Sequence, residues 1–239
     1  MNLNRVTQVD DRVRCRNALI SVADKRGLDA FVTQLWEAVP DLTIFSSGGT
    51  FRVVQEIAEA VSRTGQIREV AEYTGQPEMQ GGLVKTLDFR IYLGLLSETY
   101  NPAHQDDLKR QKAHAFDLTV CNFYPFEEAA SVAGARVEDL RTNIDIGGPA
   151  MLRASAKNFL RVAPVCTSED YPSVIEELRA NGGATTLKFR ARLAAAAFRY
   201  TAHYENAIAG ALGSFIRQTD WEDVYTIDPG PSNPSEAVR

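Results

Sequence analysis

Residues 18–50 read ALISVADKRGLDAFVTQLWEAVPDLTIFSSGGT. Two short apolar runs, Ala18–Val22 and Leu42–Phe45, flank a segment in which Leu28, Phe31, Val32, Leu35 and Trp36 recur at i, i+3, i+4, i+7 and i+8. That spacing places five apolar side chains on one helical face. A strand, a helix and a second strand in succession are the signature of a parallel sheet with crossover helices. The second run passes into Ser46-Ser47-Gly48-Gly49-Thr50. A further helix is then expected, with Phe51, Val54, Ile57, Ala58 and Val61 on its buried face.

Working outward, further strands are expected at Ile91–Leu96, Leu118–Asn122 and Val162–Cys166. Between Tyr73 and Leu87 periodicity disappears and Gly and Pro collect, which predicts a structured loop. Asp145-Ile146-Gly147-Gly148-Pro149 leads into a helix near Ala150–Lys157, with Pro149 suited to its first turn. Ser168 is placed to cap the helix carrying Val174, Ile175 and Leu178. The alanine-rich stretch Thr185–Ile216 reads as one or two packed helices. The fold class is α/β: three layers, a mostly parallel sheet flanked by helices, with a C-terminal helical appendage. Its expected divisions are a polar tail over 1–16, a folded domain over 17–216 with the appendage at 185–216, and a Pro/Ser/Gly-rich, partly disordered tail over 217–239.

Composition removes several function classes. The chain has 239 residues and a formal net charge of -5, so a basic nucleic-acid footprint is not expected. No apolar run approaches the roughly 18 residues of a membrane helix, and the N-terminus lacks a secretory h-region. Cys15, Cys121 and Cys166 form no CxxC pair. Cys121 and Cys166 sit in apolar runs and read as core residues of a cytoplasmic protein. His104, His114 and His203 are too scattered for a metal cluster and read as surface residues.

The Ser47-Gly48-Gly49-Thr50 turn lies between a strand and a helix, where free amides, hydroxyls and the helix dipole favour a phosphate. It could equally be an ordinary helix cap. Ser21 and Lys25 end the preceding strand at the same carboxyl edge, where ligands of open α/β sheets collect. Lys25 could neutralise a phosphate there, or be a solvated lysine at a helix start.

In order, SVADKRG, SSGGT, YTGQPEM, GGLVKTL, NFYPF, NIDIGGPAMLRASAKN and SEDY resemble the N-terminal cyclohydrolase domain of the bifunctional purine biosynthesis protein family. The resemblance runs from about Asn17 to Ile216. It implies a methylglyoxal-synthase-like fold. It also implies closure of a formamidoimidazole-carboxamide ribotide to inosine monophosphate, without metal, nicotinamide or other cofactor. The phosphate would be held by Ser21, Lys25, Ser47, Gly48, Gly49 and Thr50. The reacting end would comprise Lys85, Tyr124, Asp145 and Lys157, with Thr86 and Asn122 nearby and the amides of Ile146 and Gly147 facing the oxyanion. The partners implied are the ribotide substrate and its product, a second copy of the chain as homodimer, and a separate formyl-transferring enzyme, since the folate-dependent half of the family has no room in 239 residues.

The chemistry calls for such groups on its own terms. An amide N–H is a very weak acid, so a base must act as the carboxamide nitrogen attacks the formyl carbon. The developing oxyanion needs donors, and the resulting hydroxyl must leave as water. Each residue also has an ordinary structural use: Asp145 as a helix cap, Tyr124 as a core ring, Lys157 as a complement to a helix dipole.

Two features cut across the resemblance. A single straight helix between Asp145 and Lys157 would hold them about 18 Å apart. The site then needs a folded-back Gly147-Gly148 turn, a short helix, or a neighbouring subunit. Where the family usually has Arg-Val-Lys-Thr-Leu-His-Pro and a second histidine, this chain has Leu83-Val84-Lys85-Thr86-Leu87-Asp88-Phe89. Lysine and threonine remain, and Arg90 is the candidate replacement for the lost arginine. The altered stretch favours a rival expectation, a non-catalytic regulatory module of the same fold that binds a phosphorylated metabolite. A methylglyoxal-synthase-type lyase is disfavoured, because the histidines lie outside the resembling motifs.

Overall fold

The computed structural model describes residues 5–76, 86–124, 126–217 and 219–228. Within them lies a five-stranded, all-parallel sheet built from β2 (Asn17–Val22), β3 (Thr43–Ser46), β4 (Ile67–Glu69), β5 (Leu118–Asn122) and β6 (Ala163–Val165), in the order β4-β3-β2-β5-β6. Strand order grows outward in both directions from β2, so the central strands β2 and β5 are buried on both faces. That is why Ala18-Leu19-Ile20 reads as a continuous apolar run, and why Leu118–Cys121 is buried at every position, Thr119 included, rather than alternating.

Helix α1 (Leu28–Ala38) buries the five residues its spacing selected, Leu28, Phe31, Val32, Leu35 and Trp36. Helix α2 (Gly48–Ala60) buries Val54, Ile57 and Ala58. Phe51 is half-buried and Val61, just past the end, is exposed. Both contribute to one core with the sheet and with α9 (Tyr171–Ala180), where Tyr171 stacks on Phe31 at 4.0 Å. The long helix α10 runs unbroken from Leu187 to Ile216, one helix where one or two were expected.

Three expectations are corrected. Ile91–Leu96 lies in helix α4 (Phe89–Leu96), not in a strand. The run is apolar on all sides, and such a short run does not distinguish a buried strand from a buried helix. The deciding feature lies just upstream: the Asp88 carboxylate accepts the Arg90 N–H at 2.7 Å and caps the helix. Ser168 does not cap α9 directly, because it opens a single 3₁₀ turn, Ser168–Asp170, and Asp170 occupies the cap position. The stretch assigned to an N-terminal tail contributes a strand, β1 (Arg12–Arg14), paired antiparallel with β7 (Ala184–Thr186), and Cys15 beside it is fully buried.

Helices also form where no element was foreseen, at α3 (Val70–Thr74), α5 (Pro102–Gln111), α6 (Phe126–Ala130) and α7 (Val137–Thr142). The chain divides into two compact units. One comprises residues 1–124 and 145–203 and holds both sheets; the other comprises 125–144 and 204–239. In the smaller unit Phe126 meets Tyr204 edge-on, and Tyr225 donates to Glu138 at 2.6 Å.

At the amino edge of the parallel sheet, two buried charged groups are surrounded by partners. Asp117, 1% exposed, accepts from the amides of Arg16 and Asn17 and from Arg161 at 2.7 Å. Arg190, wholly buried, donates to the carbonyls of Asp10, Asp11, Phe159, Leu160 and Thr185. Cys121 and Cys166 are buried core residues. His114 is exposed and His104 half-buried. Among the described residues no helix is long and apolar enough to cross a membrane.

Candidate active site at the carboxyl edge of the sheet

Parallel strands deliver their C-terminal residues to one edge, and register fixes who meets whom: Val22 lies opposite Asn122 and Ile20 opposite Ser46. The loop after β2 is held by two side chains from other elements. Thr50 of α2 accepts the Val22 N–H at 3.1 Å and donates to its carbonyl at 3.0 Å. Asn122 accepts from the amides of Ala23 (2.7 Å) and Asp24 (2.9 Å) and donates to the Asp24 carbonyl at 2.9 Å. Both residues were expected to hold substrate. Their side chains are instead spent on the loop, so each shapes the cradle from behind.

What remains free is the front of α2. Gly48 takes φ +52°, a conformation glycine tolerates and L-residues resist. It turns the chain so that the first helical bond runs from Phe51 N–H to the Ser47 carbonyl. The amides of Gly48, Gly49 and Thr50 therefore have no intrahelical acceptor. Ser47, 7% exposed, makes no side-chain cap bond. Gly49 has open space around it. Lys25, exposed, folds over the same loop, its Nζ 3.3 Å from the carbonyls of Val22 and Ala23. Ser21 is half-buried beside them. Open N–H groups, a hydroxyl and a lysine ammonium thus lie at one edge, groups of the kind that anion sites use.

A second helix begins at this edge. The start of α8 (Gly147–Lys157) lies against the end of β5: Gly148 approaches so closely that a Cβ there would fall 2.9 Å from the Phe123 ring and 2.5 Å from an Asp145 carboxylate oxygen. Asp145 accepts from the Gly148 amide at 3.0 Å and from that of Gly147. The capping role is therefore real. The Gly147 amide, expected to face the oxyanion, is turned toward Asp145. Burial pushes the Asp145 carboxyl above the ordinary aspartate range, and the two amide bonds pull partly back. Thr86 Oγ1 lies 3.1 Å from where a Gly147 side chain would begin, so Thr86 and Asp145 share one corner. Ile146 is exposed. Tyr124 is 62% exposed at the end of β5, not the core ring of its ordinary reading.

One residue contributes that no sequence motif marked. Tyr200 of α10 accepts the Phe123 N–H through its hydroxyl at 3.3 Å and lays its ring against Phe123 at 4.8 Å, holding the backbone just before Tyr124. Its only signal was a tyrosine amid alanines. Arg90 donates to the Tyr73 carbonyl at 2.9 Å and so ties down the entry to the altered segment.

Two expected residues are not brought to the corner. Lys85, like Leu83 and Val84 before it, lies outside the described residues. Lys157 is the last residue of α8, exposed, about 15 Å along the axis from Gly147. The helix is neither short nor folded back, so Lys157 and Asp145 point from opposite ends of one rod. Among the described residues, no three His, Cys, Asp or Glu side chains gather as a metal site would require.

Residues 27–150 match the family described as the MGS-like domain, and residues 155–229 that described as the AICARFT/IMPCHase bienzyme. The chain is similar to the bifunctional purine biosynthesis protein PurH of Bradyrhizobium diazoefficiens, 47% identical over 197 residues, covering 82% of this chain and 35% of the relative. PurH of Rhodospirillum rubrum is 46% identical over 195 residues (81% and 35%), and that of Nostoc punctiforme 42% over 197 (82% and 37%). The chain thus spans about a third of the length of these relatives. Among solved structures, the crystal structure of ForH superposes with a TM-score of 0.68 at 27% identity, over 83% of this chain and 97% of that one.

Proposed function

Since the chain belongs to the MGS-like domain family, in the branch represented by the purine biosynthesis protein PurH, we propose that it is an IMP cyclohydrolase. It would close 5-formamidoimidazole-4-carboxamide ribotide to inosine monophosphate with loss of water. The observation that carries this reading is the pairing of two helix starts at one sheet edge. One, at Ser47–Thr50, has its amides unspent. The other holds a carboxylate whose proton affinity burial has raised.

The 5′-phosphate sits on the amides of Gly48, Gly49 and Thr50 with Ser47 and Lys25 beside them. That places the imidazole toward Asp145, Thr86 and Tyr124. Asp145 takes the proton from the carboxamide nitrogen as it bonds to the formyl carbon, and a raised proton affinity makes it a better base. The formyl oxygen becomes an oxyanion, stabilised by Lys85 and the Tyr124 hydroxyl. The proton taken by Asp145 returns to the oxyanion to give a hydroxyl, and a second proton, matched by the one the former formamido nitrogen releases as the ring C=N bond forms, lets that hydroxyl leave as water. No cofactor takes part. The formyl group arrives already attached, from a separate transferase activity.

Lys157 enters this scheme only from a second copy of the chain, so the active species is a homodimer with a shared site. Mixing two inactive variants, Asp145→Asn and Lys157→Ala, then restores part of the activity, whereas silence of the mixture sinks the shared site. The reading as a whole is tested by following ultraviolet absorbance as the formylated ribotide is mixed with protein in the absence of folate and added metal. Steady conversion is expected. Tight binding without turnover would instead establish the regulatory-module reading, which the remoteness of Lys157 favours.

A further inference from the structure

Helices α4 and α8 run the same way. Near their starts, Thr86 Oγ1 lies 3.1 Å from where a Gly147 side chain would begin. At their ends, the Asn158 side-chain nitrogen donates to the carbonyls of Leu95 (2.8 Å) and Ser97 (3.0 Å). Phe89, the first residue of α4, therefore stands at the carboxyl edge, level with the start of α8. Side chains of a helix lean toward its N-terminus. The Phe89 ring accordingly projects toward that edge and not back along the sheet.

Among the described residues of the larger unit, the three most exposed large apolar side chains are Phe89 (63%), Tyr124 (62%) and Ile146 (61%). All three flank one corner. Tyr124 follows Phe123, whose ring lies 2.9 Å from where a Gly148 side chain would begin. Ile146 comes between Asp145 and Gly147, and Phe89 follows the Asp88 cap, three residues after Thr86. A single exposed apolar side chain needs no explanation, but a group of them around a polar corner is the lining expected of a ligand site. Three side chains expose far less than the roughly 800 Å² that each partner buries in a standard protein interface. The patch suits one planar ring.

We propose that Phe89 is a further substrate-binding residue, the platform against which the imidazole ring of the ribotide lies. The inference rests on the cyclohydrolase reading, which sets the phosphate on α2 and the base toward Asp145. Phe89 belongs to the altered stretch and takes the place of the proline that ends the family's run. An aromatic face is thus this chain's own means of holding the base end, where the family's arginine and histidines are missing.

Phe89 is exposed, so replacing it does not threaten the fold. Wild type, Phe89→Ala and Phe89→Tyr are titrated calorimetrically with inosine monophosphate and with ribose 5-phosphate, which carries the phosphate but no base. The wild type is expected to bind the nucleotide tighter by about tenfold or more. Phe89→Ala weakens the nucleotide by about fivefold or more, the scale of one base–aromatic stack, and leaves ribose 5-phosphate as it was. Phe89→Tyr, which keeps the ring, keeps the preference. A wild type without that preference would overturn the proposal, as would an unchanged preference in Phe89→Ala. Equal losses for both ligands, or a Phe89→Tyr as weak as Phe89→Ala, would do the same. Turnover is scored separately: a wild type that prefers the nucleotide through Phe89 yet converts no formylated ribotide ends the cyclohydrolase reading and leaves the platform standing.

Discussion

The two edges of the parallel sheet handle polar groups in opposite ways. At the amino edge, Asp117 and Arg190 are taken out of water and each is surrounded by partners. At the carboxyl edge, α2 leaves its first amides open, Ser47 forgoes its cap bond, Tyr124 stands in solvent and Asp145 is held against its ionisation preference. The difference separates two tasks within one domain. Satisfied buried charge locks the strand starts, and unsatisfied polarity a sheet's width away remains available to a ligand. Changes at one edge should therefore alter function with little loss of stability, and changes at the other the reverse.

The sharpest break is expected at Asp145. Asp145→Asn keeps an oxygen to cap Gly148, so thermal melting should move by no more than about 1 kcal/mol in stability. Cyclisation should fall by about 10²–10⁴-fold, the scale of a positioned base. A variant that turns over normally removes Asp145 from the chemistry.

The same residue gives a pH signature. Its folded pKa lies above the unfolded value of about 4. The carboxyl thus contributes stability that is complete below that value and is lost as pH rises through the folded pKa. Denaturant titrations of wild type and Asp145→Asn should show a stability difference that declines as pH rises above about 4. A flat or rising difference would mean the carboxylate is at ease in its pocket.

At the other edge, Asp117→Ala leaves Arg161 and two strand-start amides without their acceptor. It should destabilise the protein by about 3–5 kcal/mol in urea unfolding, while the protein that remains folded binds phosphate ligands as before. Loss of that binding in the folded fraction would show that the two edges are not independent.

The smallest effect belongs to Ser47. Removing an N-cap serine ordinarily costs about 1 kcal/mol. Here the hydroxyl makes no cap bond, so Ser47→Ala should change stability by less than about 0.5 kcal/mol. It should weaken inosine monophosphate by no more than about tenfold in a calorimetric titration. A full capping loss would return Ser47 to a purely structural role.

What could be read beforehand follows the range of the interactions. Residues 18–50 declared themselves because a strand, a helix stripe and a glycine turn are each local patterns. Ile91–Leu96 did not, since an apolar run carries no period, and the Asp88 cap that decides it occupies a single position. Thr50 and Asn122 lie at the carboxyl edge of the sheet, yet their bonds to the β2 loop reach 28 and 98–99 residues along the chain, beyond any spacing rule. Asp145 and Lys157 were drawn together by shared motif membership. The rise of an unbroken helix keeps them apart.

Arg190 sets a practical limit on where the chain can be cut. Among the described residues it donates to five carbonyl oxygens, two of them from Asp10 and Asp11. A shortened gene starting at Asn17, the boundary that sequence motifs alone suggest, would delete both acceptors and the strand that pairs with Ala184–Thr186. A guanidinium would be left in the interior short of acceptors, and an unpaired strand would be offered to any passing edge. Such a product is a candidate for inclusion bodies rather than for a minimal domain.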